Sequence, residues 1–159
     1  MINNYDHLCP ELSSFRKNLE ALIKTNDYSS IGKLDDFVEE YLIKTFTFQD
    51  LPFLFDEIIS ADFKRQHLGL ICMKKLLPEK KSLLVKMVID RNLIPSLIDD
   101  LVKDDFPQLQ IESALVLTKM FHVGTFEQAL VFDMESILPL MIKLLNSSNS
   151  EVLESVIYF

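Results

Sequence analysis

The chain has 159 residues, enough for one domain with a sizeable core, and 48% of them are hydrophobic. Three glycines and six prolines supply too little turn chemistry for a many-stranded sheet, which leaves an all-α class. The formal net charge of −8 disfavours nucleic acid or an anionic membrane as the main partner and suits a basic peptide better. Residues 1–49 read as a helical extension. Pro10-Glu11 followed by Leu12, Phe15, Leu19 and Leu22 predicts an amphipathic helix, its apolar positions three or four apart. After the polar break at residues 26–30, a second helix places Leu34, Phe37, Val38, Tyr41 and Leu42 on one stripe. Asp35, Asp36, Glu39 and Glu40 fall on the other, which reads as a solvated face. The first residues carry neither the basic nor the apolar region of a secretory signal, and no apolar run approaches the roughly 18 residues of a membrane span. Cys9 and Cys72 are isolated, so a reducing compartment is expected, with Cys72 in the core.

From Leu51 onward the pattern repeats. Apolar helices open around Leu51-Pro52-Phe53, Ile94-Pro95-Ser96 and Leu138-Pro139-Leu140, at steps of 43 and 44 residues. Such a step is the period of helical solenoids of the HEAT and armadillo kinds. Each short helix (51–60, 94–103, 138–145) leads through a polar turn into a longer one (64–77, 108–121, and 151 onward). A third short helix closes each complete repeat, over 81–89 after Pro78 and 126–132 after Gly124. Three helices per repeat favour armadillo, giving a right-handed α-superhelix with repeats over 50–92, 93–134 and 135–159. Layers of this kind bury their apolar faces only against each other and present one long surface. That surface points to protein binding and away from a catalytic pocket.

The residues that would carry chemistry are scattered. His7, His67 and His122 share no ligand spacing, and His67 and His122 read as partly exposed surface residues. The pair Asp99-Asp100, flanked by Ile98 and Leu101, reads as solvated. No phosphate loop, nucleophile elbow or calcium loop occurs, so no catalytic residue, metal site or cofactor is predicted.

Four stretches resemble the importin-α (karyopherin-α) family in order and in register. Asn92-Leu93-Ile94-Pro95 resembles its Gly-Leu-Ile-Pro helix start, and Gln110-Ile111-Glu112-Ser113-Ala114 resembles the Gln-Phe-Glu-Ser-Ala that begins a groove-lining helix. Gly124-Thr125-Phe126-Glu127-Gln128 is similar to its Gly-Thr-Ser-Glu-Gln turn, and Met73-Lys74-Lys75-Leu76-Leu77 with Glu79-Lys80 to a segment of its first repeat. The resemblance implies an armadillo adaptor that carries cargo between cytoplasm and nucleus. It implies a groove lined by the longer helices, with a Trp and, four residues on, an Asn as cargo contacts. The Trp ring would hold a cargo lysine and the Asn amide would clamp the cargo backbone.

This chain departs from that pattern. It has no tryptophan; Leu115 stands at the Trp position and Lys119 at the Asn position of repeat two. The implied cargo-groove candidates are Glu112, Leu115, Lys119 and His122, with Ile71 and Lys75 as equivalents 44 residues earlier and Tyr158 nearest the Trp position of repeat three. Lys119 donates but cannot accept and repels lysine, so basic localisation signals are expected to bind weakly. Residues 1–50 hold five basic residues against nine acidic ones, unlike the family's basic importin-β-binding segment, which leaves importin-β recruitment open. At the other end Val152, Leu153, Val156, Ile157 and Phe159 form an apolar face, and self-association through it is expected. The alternative is an armadillo scaffold for signalling or cytoskeletal assembly, unrelated to import.

Overall fold

The computed structural model describes residues 13–24, 36, 38–39, 43–148 and 150–158. Most of the second predicted helix, the break at 26–30, Cys9, His7 and Phe159 lie outside these residues, as does the side chain of Tyr158. Among the described residues there is no strand. The structure is an all-α solenoid, and its helices follow from local chemistry as much as from periodicity.

Helix α1 (Ser13–Lys24) turns Phe15 and Leu19 inward, both fully buried. Phe15 meets Phe46 edge-on at 5.2 Å and Phe53 at 6.4 Å, and the Arg16 guanidinium lies over the Phe53 ring. The N-terminal helix is therefore part of the stack, fastened by aromatic contacts worth about 0.5–1.5 kcal/mol each beyond their burial. Two short 3-10 turns, Ile43–Thr45 and Phe48–Asp50, lead into α2 (Leu51–Ile58), where Pro52 sits in the first turn and so wastes no hydrogen bond.

Asp62 caps the next helix by accepting from the Arg65 N–H at 3.0 Å. That helix, α3, runs without interruption over Phe63–Asp90 with Pro78 inside it. The expected break at Pro78, and with it a separate helix over 81–89, does not occur. Proline deletes one main-chain bond and strains another, but Leu76 and Leu77 before it and Leu84, Val85 and Val88 after it are all buried on the same rod. Burial of about 1.5–3 kcal/mol per such side chain outweighs one lost bond.

The rod ends in a Schellman turn: the Leu93 N–H reaches the Val88 carbonyl and the Asn92 N–H that of Ile89. Asn92 takes a positive φ of 54°, which asparagine tolerates. Helix α4 (Ile94–Asp100) then opens on Pro95; beyond it the N–H groups of Leu101, Val102 and Lys103 tighten to bonds three residues back, ending the helix earlier than predicted. Helix α5 spans Pro107–Val123, again with proline first.

Thr125 and Gln128 then form a capping box around α6 (Phe126–Ala129). The following residues turn, so the helix stops short of the predicted Phe132. Helix α7 (Met134–Leu144) starts upstream of its proline, because Asp133 accepts from Ser136 and nucleates the first turn. Pro139 is thus interior and does not open the helix. Helix α8 covers Ser150–Tyr158, with Val152 buried and Leu153 and Val156 half-buried.

The broadest packing is α3 against α5, with α2 on α3, α4 on α5 and α8 on α5 completing the stack. Gly69 allows the closest approach: a Cβ there would lie 3.0 Å from the Ile58 main-chain nitrogen.

Candidate ligand-binding face

Helices α3 and α5 lie side by side, and the 44-residue register pairs Ile71 with Leu115 and Lys75 with Lys119 along them. The two members of each pair share a position on the helix and a level of exposure. Ile71 and Leu115 are buried, at 0% and 1%. Lys75 and Lys119 are half-buried, and His122, one turn beyond Lys119, is exposed. The imidazole of His122 stands edge-on to Phe121 at 6.1 Å.

Glu112 does not face outward. Its carboxylate meets the Lys74 ammonium at 2.9 Å, with both side chains almost wholly buried, so this ion pair joins α3 to α5 from within. The outward stripe of α5 therefore runs from half-buried Ile111 through buried Leu115 to Lys119 and His122. Tyr158 belongs to α8, and its side chain is outside the described residues. Lys75 is engaged at 2.8 Å by Glu39, whose side chain remains two-thirds exposed. The Lys75 ammonium holds the Glu39 carboxyl below its ordinary pKa. Asp36 is exposed as expected, so the acidic stripe is solvated where it is described, with Glu39 at its edge.

Sequence reasoning missed a polar brace beneath this face. Asp100, expected in solvent, is 1% exposed. Its carboxylate accepts from Gln66 Nε2 at 3.0 and 3.1 Å and from Ser113 Oγ at 3.0 Å, and it meets Lys103 Nζ at 2.6 Å. One side chain on α4 thus ties α3 to α5. Gln110, 44 residues after Gln66, repeats the theme by donating to the Leu101 carbonyl at 3.2 Å and to Asp104 at 2.9 Å. Asp104 in turn pairs with Lys143 at 2.6 Å.

A layer earlier, Arg65 joins Glu20 of α1 at 2.8 Å and Glu57 of α2 at 3.1 Å. Burial pushes the Glu57 carboxyl up in spite of the opposing pull of Arg65. The repetition of Gln66 at Gln110, and of Glu57 at Asp100 43 residues on, was the available signal. His67 is a further correction: it is 1% exposed and stacks on Phe63 at 5.7 Å, which in turn stacks on Phe106. Cys72 is core as predicted, and burial pushes its thiol far up, away from the reactive thiolate.

A cleft of about 320 Å³ is lined by Ile89, Ile94, Pro95 and Ile98, with Asp99, Asp133 and Ser136 among its polar residues. Among its described lining residues there is no histidine, cysteine or lysine, and the Ser136 hydroxyl donates to the Asp133 carboxylate in the cap of α7. Among the described residues no cluster of three or more His, Cys, Asp or Glu could hold a metal ion, and no helix is long and apolar enough to cross a membrane.

No protein-family model matches the chain. Among curated proteins it is 32% identical over 109 residues to importin subunit alpha-1a of Oryza sativa subsp. japonica, covering 69% of this chain and 20% of that one. It is 32% identical over 147 residues to importin subunit alpha-B of Dictyostelium discoideum, covering 89% of this chain and 27% of that one. The chain is related to the importin-α family. It spans about a fifth to a quarter of the length of these importin-α relatives.

The importin-α motifs fall where the structure needs them. Asn92 takes the left-handed conformation at the position of the family's glycine. Thr125 and Gln128 make the capping box, and Gln128 Nε2 also donates to the Ser82 carbonyl at 2.8 Å, linking α6 back to α3.

Proposed function

We propose that the chain is a non-catalytic adaptor that holds an extended segment of a cargo protein along the outward face of α3 and α5, in nuclear protein import. On this reading it works in both cytoplasm and nucleus. The supporting observation is the register: two adjacent long helices carry equivalent side chains 44 residues apart, in a chain similar to importin-α proteins. Stacked solenoid layers repeat a contact at each step, which suits a ligand that is itself a repeating extended chain.

Lysine-rich signal peptides are expected to bind weakly here, because Leu115 is buried and Lys119 carries the ligand's own charge. Pull-downs with basic signal peptides and with importin-β test the reading, which requires at least one of them to be retained. Retention of neither assigns the chain to the second reading, an armadillo scaffold outside import, which the loss of the Trp and Asn positions favours. Either way the C-terminal layer is expected to associate. Ile157 is 70% exposed, and Leu138, Ile142 and Leu145 are exposed apolar side chains as well. Sedimentation should show association that rises with concentration and is lost in Ile157→Glu; a strict monomer refutes it.

A further inference from the structure

The chain shows on its own surface what one of these lysines accepts. At Lys75 the occupant is Val38-Glu39: Glu39 supplies a carboxylate 2.8 Å from the ammonium, and Val38 beside it is fully buried. A carboxylate and a branched apolar side chain thus arrive together, one at the cation and one against the core. Forty-four residues on, Lys119 holds the same register on α5, half-buried, and among the described residues no carboxylate is paired with it. Its stripe offers the same two elements, a cation at Lys119 and apolar surface at half-buried Ile111 two turns before it.

We propose that the face around Lys119 takes an acidic–apolar segment of a partner protein, a carboxylate adjoining a branched aliphatic side chain, and that Val38-Glu39 is the internal example of the fit. This rests on the adaptor reading and names the chemistry of its ligand. The negative net charge of the chain does not oppose it. Charges beyond a Debye length of about 8 Å are screened at physiological salt, so the lysine at the contact decides the sign. The same lysine disfavours a lysine-rich ligand, whose like charge would face it directly.

Fluorescence anisotropy on the full 159-residue chain tests this with two labelled peptides, one copying residues 34–42 and one lysine-rich and of equal length. The acidic peptide should bind more tightly. Lys119→Glu should weaken it about three- to tenfold, as loss and reversal of one exposed ion pair would, and should narrow or invert the preference. Helicity should not change, since among the described residues Lys119 makes no ion pair. A peptide in which the equivalent of Glu39 is Gln should lose affinity for the unmodified chain and not for Lys119→Glu.

Preferential binding of the lysine-rich peptide overturns the proposal and leaves the adaptor reading standing. Binding of the acidic peptide unaffected by Lys119→Glu overturns its placement on this face. Binding of neither peptide overturns the proposal, and the pull-downs above then decide the adaptor reading separately.

Discussion

Replacing Asp100 by Ala removes the acceptor at the centre of the α3–α4–α5 brace. Gln66 and Ser113, 6% and 0% exposed, would each be left with a buried donor and no acceptor. Each such orphan costs about 1–3 kcal/mol. Lys103, 41% exposed in its side chain, returns to water and adds little. The expected loss is therefore about 2–6 kcal/mol, a large share of the ~5–15 kcal/mol that holds a typical domain together. With a urea slope of about 2 kcal/mol per molar, the unfolding midpoint falls by about 1–3 M at unchanged slope. The neighbouring Asp99→Ala is the control, because Asp99 is exposed and should shift stability by no more than about 0.5 kcal/mol. If the two variants unfold within about 0.5 kcal/mol of each other, Asp100 is not a brace and the burial argument fails.

Lys74→Met strands the buried Glu112 carboxylate without its ammonium and should destabilise by about 3–5 kcal/mol. Adding Glu112→Leu should restore most of that in the same urea titration; a further loss would refute the ion-pair account. Gly69→Ala gains helix propensity of about 1 kcal/mol but drives a methyl into the Ile58 main chain, an overpacking cost of about 1–3 kcal/mol. Net destabilisation is expected, and a higher melting temperature would contradict the tight approach of α2. Glu57 has a folded-state pKa raised by burial, so its contribution is full below the ordinary carboxylate value and is lost as pH rises through the folded one. Glu57→Gln lacks that slope, and its stability relative to the unmodified chain should rise from pH 4 to pH 7; a fall would reverse the assignment.

Local punctuation in the sequence was informative where one signal acted alone. Pro52, Pro95 and Pro107 sit in first turns as their rules require, and Phe15 and Leu19 fall on the core as their spacing demands. It failed where two signals competed. Pro78 argued for a break, but apolar side chains continue on one face beyond it. Pro139 argued for a start, but the Asp133–Ser136 cap starts the helix earlier. The candidate face was legible as a register and not as an exposure. Nothing near Leu115 or Asp100 in sequence says that each is buried, because Asp100 is covered by partners such as Gln66, 34 residues away. Glu112 misled for the same reason, its cation lying 38 residues back at Lys74.

The unbroken α3 changes how this solenoid can come apart. A stack of separate helices behaves as a chain of nearest-neighbour units and can shed one layer at a time. At 28 residues, about 42 Å long, α3 is shared by two layers: Gly69 presses on α2, while Ser82 receives Gln128 from beyond α5. Peeling the first layer from the second would require snapping a continuous rod in its middle. A force applied at the two ends should instead strip α7 and α8 first, then meet everything from α1 to α6 as a single rupture.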